Sequence, residues 1–170
     1  TIPIEAALIA KNRAPGLDRS FSAQRWKNMS SSLWLDAAQE AMDKEFHGQY
    51  DIWGGDIDPA AVELAQHNAR LAGVEDCIRF ETADAGKFHR DSEYGQLVTN
   101  PPYGERLLEK KEAEALYRAF GAALQDLPPK WRVLVLSSHT EFERCFGRAA
   151  DKKRKLYNGM IKCDVFMYGK

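Results

Sequence analysis

Apolar residues recur along this chain in two alternating patterns, one helical and one extended. In the segment 58–73, four apolar residues share helical spacing: Val62, Ala65, Ala69 and Ala72. The continuous apolar run 133–136 is typical of a central strand buried on both faces. The whole pattern predicts helices at 2–12, 58–73, 107–127 and 141–146, and strands at 50–53, 77–80, 95–99, 133–136, near 155–157 and at 163–168.

Turn and cap residues sharpen several of these boundaries. Asp58 suits the N-cap of its helix, and Gly73 suits the C-terminal cap. Pro15 and Gly16 are expected to end the first helix. The strand at 50–53 is expected to end in a tight turn at 54–55, and the dipeptide 158–159 predicts a turn between the last two strands.

Strands that alternate with helices predict an α/β fold with an open, mostly parallel sheet, helices on both faces and an antiparallel last strand. In such sheets ligands bind at the carboxyl ends of the strands. Residues that follow directly after a predicted strand are therefore the candidates for a functional site.

The segment 17–48 reads as an insertion with weak helical periodicity. Its apolar residues are expected to form a buried side: Trp26, Leu33, Trp34, Leu35, Ala38 and Met42. The helix at 2–12 is apolar from its first turn, so we expect a strand and a turn to precede it in the native protein.

Composition places the chain among soluble globular proteins. It has 170 residues, of which 44% are hydrophobic and 29% charged, and this suits one domain with one core. The three cysteines form no CxxC pair, and the four histidines have no metal-ligand spacing, so we expect no disulfide framework and no metal site. No apolar run is long enough to cross a bilayer, and we expect a cytoplasmic protein.

The net charge of −1 argues against strong non-specific binding of nucleic acid. A nucleic-acid substrate would have to be bound through a local patch or another domain. The only basic run is Asp151–Lys155, which either contacts phosphates or forms a solvated face at the start of a strand.

Two acidic residues follow predicted strands and are candidates for binding a nucleoside. The Asp56 carboxylate can accept hydrogen bonds from the vicinal hydroxyls of a ribose, and Ile57 can pack against an adenine ring. Asp84, after the next strand, can accept from the adenine amino group. Taken alone, Asp56 and Asp84 are equally explained as turn residues, and Asp58 as an N-cap.

The tetrapeptide Asn100-Pro101-Pro102-Tyr103 is more specific. The prolines end the strand and hold the backbone rigid. The Asn100 side-chain oxygen and the Pro101 carbonyl can both accept hydrogens from an exocyclic amine, which turns its lone pair toward a sulfonium methyl group. Tyr103 can stack on an extruded base. A strand terminator alone would explain the prolines but not the asparagine or the aromatic residue.

With these motifs, the sequence resembles a known family: the bacterial ribosomal large-subunit RNA methyltransferases that carry a THUMP domain. Proteins of this family are also labelled N6-adenine-specific DNA methylase-like proteins. The resemblance covers nearly the whole chain. It rests on six segments: 1–7, 13–17, 56–59, 68–73, 100–106 and the stretch from Tyr157-Asn158-Gly159 to Asp164. The extension of the tetrapeptide through Gly104-Glu105-Arg106 is its narrowest part.

The resemblance implies a class I methyltransferase with a Rossmann-like sheet of seven strands. It implies methylation of guanine N2 in 23S ribosomal RNA with S-adenosyl-L-methionine, and RNA binding through an upstream THUMP-like domain. Asn100, Pro101, Pro102 and Tyr103 fall on the catalytic motif. The predicted cofactor-binding residues are Thr1, which matches the end of the glycine-rich cofactor loop, Asp56, Ile57, Asp84 and Asn100.

The family has a first strand and a glycine-rich loop directly before the position of Thr1. We therefore expect residues 1–170 to be one methyltransferase catalytic domain, truncated at its N-terminus, with a helical insertion at 17–48. Two alternatives stay open: an N6-adenine methyltransferase acting on DNA or RNA, and a nucleotide-binding module without catalysis.

Overall fold

Helices and strands alternate in a computed structural model that describes residues 1–104 and 107–169. The chain divides into two units, Thr1–Thr82 and Ala83–Lys170. The first unit contains three helices and two strands in the order α1 (Ile2–Ala10), α2 (Ser31–Asp43), β1 (Ile52–Asp56), α3 (Pro59–Leu71) and β2 (Ile78–Thr82). The described part of the second contains, in order, β3 (Tyr94–Thr99), α4 (Leu107–Ala123), β4 (Lys130–Ser137), α5 (Phe142–Phe146), β5 (Lys152–Asn158) and β6 (Ile161–Tyr168).

In the first unit, β1 and β2 form a parallel pair that runs from Ile52 opposite Ile78 to Asp56 opposite Thr82. Helices α1 and α3 pack on these strands around a small apolar core: Ile4, Ala7, Ala69, Val74, Cys77 and Ile78. Asp56 is the last residue of β1 and lies opposite Thr82 at the end of β2.

The expected tight turn at Gly54-Gly55 is wrong, because both glycines lie inside β1. Gly54 stands opposite Phe80 of β2, and a Cβ atom at Gly54 would lie 2.8 Å from the Phe80 ring. The glycine therefore makes room for an aromatic side chain of the neighbouring strand rather than bending the chain.

The ends of α3 follow the sequence signals. The Asp58 carboxylate accepts a 2.9 Å hydrogen bond from the Ala60 N–H, and Gly73 takes the left-handed conformation beyond the helix end (φ +65°). Helix α1 ends earlier than predicted, because Asn12 adopts a positive φ of 53° before Pro15 is reached. An asparagine in this conformation ends a helix as a glycine does.

The insertion does form a helix, α2, but its predicted buried side is wrong. No residue of α2 is buried, and Leu33, Leu35 and Met42 are exposed, as is Trp26 before the helix. Trp34 and Ala38 are half-buried, and Trp34 stacks on Phe21 at 5.7 Å. The helical periodicity correctly predicted a helix in this segment, but it did not show whether the apolar side of that helix is covered.

In the second unit, the strands form a four-stranded sheet in the order β3-β4-β6-β5. Strands β3 and β4 are parallel, whereas β6 runs antiparallel to both β4 and β5. The predicted α/β class and the central position of β4 are confirmed. The described strands pair as a two-stranded sheet in the first unit and a four-stranded sheet in the second, and the predicted antiparallel last strand is confirmed as β6.

One face of this sheet is covered by α4 and α5. The core of the unit is largely aromatic: Ala113, Tyr117, Phe120, Val133, Val135, Phe142, Cys145, Phe146, Phe166 and Tyr168. Helix α4 ends at Ala123, before the predicted end at Leu127. Its buried side runs through Ala113, Tyr117 and Phe120.

Candidate active site

The tetrapeptide Asn100–Tyr103 follows directly after β3, as predicted, at the carboxyl end of a strand that is parallel to β4. Asn100 is exposed at this end of the sheet. Gly104 then turns the chain with a φ of +68°, and a Cβ atom there would lie 2.5 Å from the Cα of Lys110. Only glycine fits this close approach to α4. Glu105 and Arg106, which extend the motif in the sequence, lie outside the described residues.

Hydrogen bonds between side chains hold Asn100 and Tyr103 together. The Tyr103 hydroxyl donates to Asn100 Oδ1 at 2.5 Å, and it accepts from Nδ2 of Asn158 at 3.3 Å. Burial raises the pKa of the Tyr103 phenol above its ordinary value of 10.0, so the hydroxyl keeps the proton that it donates. One lone pair of the Asn100 oxygen is used in this contact, and the second stays available to another donor.

The backbone of the tetrapeptide is anchored to α4 by Tyr117. Its hydroxyl donates to the Pro102 carbonyl oxygen at 2.6 Å and lies 3.3 Å from the Ser137 hydroxyl at the end of β4. Tyr117 has no exposed surface, and burial raises the pKa of its phenol. The buried, neutral hydroxyl of Tyr117 therefore holds the backbone of the turn in place.

His139 packs beside this tyrosine. Its ring meets the Tyr117 ring edge-to-face at 5.5 Å, and its Nδ1 accepts a hydrogen bond from the Glu141 N–H at 3.1 Å. Since Nδ1 is an acceptor, the neutral imidazole carries its proton on Nε2, which lies 3.6 Å from a Glu114 carboxylate oxygen. Burial is the largest cause that lowers the pKa of His139 below 6.5. The His139 ring therefore packs against Tyr117 in its neutral form.

A cavity of about 370 Å³ lies beside the tetrapeptide. It is within the size range of small-molecule sites. The turn and the first half of α4 line it: Pro102, Tyr103, Gly104, Glu109, Glu112, Ala113 and Leu116. Its polar lining includes two glutamates, so a ligand that donates hydrogen bonds suits it.

The candidate nucleoside-binding residues of the first unit lie at the end of β1. Asp56 is exposed, and its Oδ1 accepts from the Asp58 N–H at 3.0 Å. Its Oδ2 has no hydrogen-bond partner in the described part of the chain. The Ile57 side chain is 69% exposed, which is unusual for a large apolar residue beside a polar turn. Thr1 is the exposed N-cap residue of α1, without a side-chain cap bond.

Asp84 is the second residue of the second unit and is half-buried. Its Oδ1 accepts from the Gly86 N–H at 2.8 Å and so caps the short 3₁₀ helix Ala85–Lys87. This helix packs on α4, where a Cβ at Gly86 would lie 3.0 Å from Ala119. Capping accounts for one carboxylate oxygen of Asp84, and contact with an adenine amino group stays a prediction.

The structure therefore groups the predicted residues in two places. Asn100 and Tyr103 meet in the second unit, and Asp56 and Ile57 are neighbours in the first. Reasoning from sequence missed Tyr117, which has the spacing of an ordinary core residue of a helix, and His139, which belongs to no motif. It placed Asn158 in a turn and in a segment that carries the family resemblance, but it assigned Asn158 no role in the site.

The described residues contain neither a candidate membrane-spanning helix nor a cluster of metal-binding side chains. No helix there is both long and apolar enough to span a bilayer. No group of three His, Cys, Asp or Glu side chains there is arranged to hold a metal ion.

The fold and the turn after β3 define an α/β protein with a polar site at the carboxyl end of a parallel strand. Residues 1–166 match the family UPF0020, the RMKL-like methyltransferase domain, and the chain belongs to this family. The predicted family is thereby confirmed.

Two relatives and one solved structure illustrate the similarity. YpsC of Bacillus subtilis (strain 168) is 44% identical over 99% of this chain, and the ribosomal RNA large subunit methyltransferase K/L of Shewanella baltica (strain OS185) is 38% identical over 99%. The crystal structure of SMU.472 in complex with SAH covers 99% of this chain with a TM-score of 0.93 and 40% identity. The chain spans 44%, 24% and 45% of these proteins, respectively.

Proposed function

We propose that this chain transfers a methyl group from S-adenosyl-L-methionine to the exocyclic N2 of a guanine in 23S ribosomal RNA. The observation that carries the proposal is the hydrogen-bonded turn after β3, in which Tyr103 holds the Asn100 side chain and Tyr117 holds the Pro102 carbonyl. Membership of a methyltransferase family and the similarity to SMU.472, which was crystallised with SAH, support it.

The residues at the end of β1 fit the nucleoside part of the cofactor. A ribose presents two neighbouring hydroxyl donors, and Asp56 Oδ2 is an acceptor without a partner among the described residues. The exposed Ile57 side chain offers an apolar surface for an adenine ring. Thr1 and Asp84 are further candidates, and bound S-adenosyl-L-methionine supplies an electrophilic methyl group on a sulfonium.

The turn itself acts on the substrate amine. The lone pair of an exocyclic amine is delocalised into the ring, so the nitrogen is a weak nucleophile. Asn100 Oδ1 and the Pro101 carbonyl accept its two hydrogens, which orients the lone pair and stabilises positive charge as it develops on nitrogen. Pro101 and Pro102 keep both acceptors in place, so catalysis is mainly positioning. No strong base is needed, since the excess proton leaves the charged amine for solvent.

Tyr103 has two tasks in this account. Its hydroxyl orients Asn100 through the 2.5 Å hydrogen bond, so that the second lone pair of Oδ1 faces an incoming amine. Its half-buried ring lines the cavity beside the turn and provides a surface on which an extruded base can stack.

The choice of large-subunit ribosomal RNA is supported by the similarity to the ribosomal RNA large subunit methyltransferase K/L of Shewanella baltica, and the choice of guanine N2 by the chemistry of the cavity. The Watson–Crick edge of guanine presents an N1–H donor beside N2. This donor complements a carboxylate, while Asn100 and Pro101 accept the two N2 hydrogens. Adenine presents one amine and an N1 acceptor. Glu112 lines the cavity and is the candidate acceptor.

Ribosomal RNA is the proposed partner, bound in the native protein with the help of a THUMP-like domain. Mass spectrometry of nucleosides from the ribosomal RNA of cells with and without the gene tests the proposal. We expect loss of N2-methylguanosine in the deletion strain and its return on complementation. Loss of N6-methyladenosine instead would establish the rival adenine methyltransferase, and an unchanged nucleoside profile would contradict both.

A further inference from the structure

The edge strand β5 carries the densest positive charge in the described chain. All seven of its residues are exposed, and the first four are the consecutive cations Lys152–Lys155. Across the turn, the exposed Lys162 of β6 stands opposite Tyr157. We call residues 152–162 the basic hairpin.

Only part of this charge is neutralised by neighbouring carboxylates. Lys153 donates to Glu143 at 2.8 Å and lies over the Phe166 ring at 5.8 Å, so it packs against the helix side of the sheet. Asp164 stands opposite Lys155 in register. Four cations of the hairpin form no ion pair with any carboxylate that the structure describes: Lys152, Arg154, Lys155 and Lys162.

The basic hairpin contacts the catalytic turn near its tip. Its Asn158 amide donates to the Tyr103 hydroxyl at 3.3 Å. Side chains alternate along a strand, so Arg154 and Lys152 lie on the same face as Asn158. At about 3.3 Å per residue, these cations lie roughly 13 Å and 20 Å along the strand from Asn158. A nucleic-acid strand whose target base binds at the turn would therefore run along Arg154 and Lys152.

The tip of the hairpin exposes large side chains. Tyr157 is 67% exposed and Met160 is 99% exposed. The Tyr157 side chain shares its face with Lys155 and stands opposite Lys162, so an exposed aromatic ring lies between two cations. Aromatic rings interleaved with cations are typical of surfaces that bind single-stranded nucleic acid, because bases stack on the rings while the cations contact phosphates.

Lysines on an edge strand also have a simpler use, since they discourage pairing with the edge strands of other molecules. That use accounts for Lys152–Lys155. It does not account for the exposed Tyr157 and Met160 at the tip, which invite association, nor for the hydrogen bond from Asn158 to Tyr103.

We propose that the basic hairpin binds the single-stranded RNA next to the target nucleotide. Lys152 and Arg154 contact phosphates on the face of the hairpin that carries Asn158. Tyr157 lies at the tip on the opposite face and stacks on a base where the RNA strand passes round the tip. This inference rests on the proposed function and adds the part of the chain that holds the substrate strand. It also explains how a chain with a net charge of −1 can bind RNA, because the charge is local rather than spread over the surface.

The test is equilibrium binding of a fluorescently labelled single-stranded RNA to the purified chain, followed by anisotropy over a series of salt concentrations. Each phosphate contact on a single strand contributes about 0.7 to the slope of log K against log salt. The double variant Lys152→Gln/Arg154→Gln should therefore lower that slope by about 1.4 and weaken binding about 25-fold at 0.1 M salt.

A charge-matched control is Lys87→Gln/Lys111→Gln, which removes two exposed cations of the same unit outside the hairpin. It should leave the slope unchanged. Equal losses in both double variants, or no loss in the hairpin variant, would overturn the proposal. Tighter binding of a DNA strand of the same sequence would overturn the assignment to RNA.

Substitutions of Tyr157 provide a second, independent test of the proposal. Tyr157→Ala should weaken RNA binding by about fivefold or more with an unchanged salt slope, because a stacked base rather than a phosphate contact is lost. Tyr157→Phe should bind like the wild type. Binding equal to wild type in Tyr157→Ala would contradict the stacking role. Because these assays measure binding, a failure here is distinct from a nucleoside profile that contradicts the proposed methylation.

Discussion

The hydroxyl of Tyr117 lies 2.6 Å from the carbonyl oxygen of Pro102 and donates a hydrogen bond to it. Tyr117 is fully buried on α4, whereas Pro102 is exposed in the turn after β3. The contact therefore ties the candidate catalytic turn to the core of its unit. A group that never touches the substrate can in this way determine where the acceptors of the turn lie.

Tyr117→Phe should slow methyl transfer while leaving substrate affinity largely unchanged. The variant keeps the aromatic packing but leaves the Pro102 carbonyl without its donor, so the turn is held less firmly. Misplacement of a catalytic group by about 1 Å costs about tenfold to hundredfold in rate. Steady-state kinetics should show the loss in kcat rather than in KM.

Tyr168→Phe is the matched control. Tyr168 is also a buried tyrosine, and its hydroxyl donates to the Arg148 carbonyl at 3.3 Å, away from the turn. Its loss should lower the free energy of unfolding by about 1 kcal/mol without changing kcat. Equal changes in kcat for the two variants would show that Tyr117 acts only through stability.

Asp56→Ala should weaken binding of S-adenosyl-L-methionine, because the carboxylate at the end of β1 is the proposed partner of the ribose hydroxyls. Loss of hydrogen bonds to a charged group costs about 1.5–3 kcal/mol, or roughly tenfold to hundredfold in Kd by calorimetry. Asp58→Ala removes a cap of α3 instead and should cost about 1 kcal/mol of stability at an unchanged Kd. An unchanged Kd for Asp56→Ala would refute the ribose contact.

His139 should make stability depend on pH below about 6.5. Burial lowers the pKa of the folded group below that of the unfolded chain, so below 6.5 the unfolded state binds a proton that the folded state does not. This group has no effect above 6.5 and destabilises the fold, by at most about 1.4 kcal/mol per pH unit, as pH falls toward its folded pKa. The loss levels off below that value.

The comparison of wild type with His139→Asn isolates this effect from the titration of carboxylates. The asparagine oxygen can still accept the Glu141 N–H but does not titrate. Chemical denaturation between pH 5 and 7 should show a steeper loss in the wild type. Parallel curves for the two proteins would mean that His139 is not held neutral by the fold.

Sequence alone located the candidate site because strand ends carry strong local signals. The prolines after Thr99 had to end β3, and Asp58 with Pro59 had to begin α3, so Asn100 and Asp56 fell at strand ends whatever the tertiary packing. These signals act over a few residues, and they do not depend on which elements become neighbours.

The remaining features depend on contacts between distant residues. Gly54 looked like a turn because its strand neighbour Phe80 is not visible in a local pattern. Tyr117 and Asn158 reach the tetrapeptide only through the folding of α4 and of the hairpin. The exposure of α2 was likewise invisible, since periodicity shows that a helix has an apolar side but not whether that side is covered.

Methyl transfer and cofactor binding by an Asn100→Ala variant test the central claim most directly. The purified protein is assayed with radiolabelled S-adenosyl-L-methionine and ribosomal RNA that lacks the modification, and cofactor affinity is measured by calorimetry. We predict that turnover falls by about hundredfold or more while the Kd for the cofactor changes little, because Asn100 acts on the substrate amine. Turnover equal to that of the wild type would contradict the account.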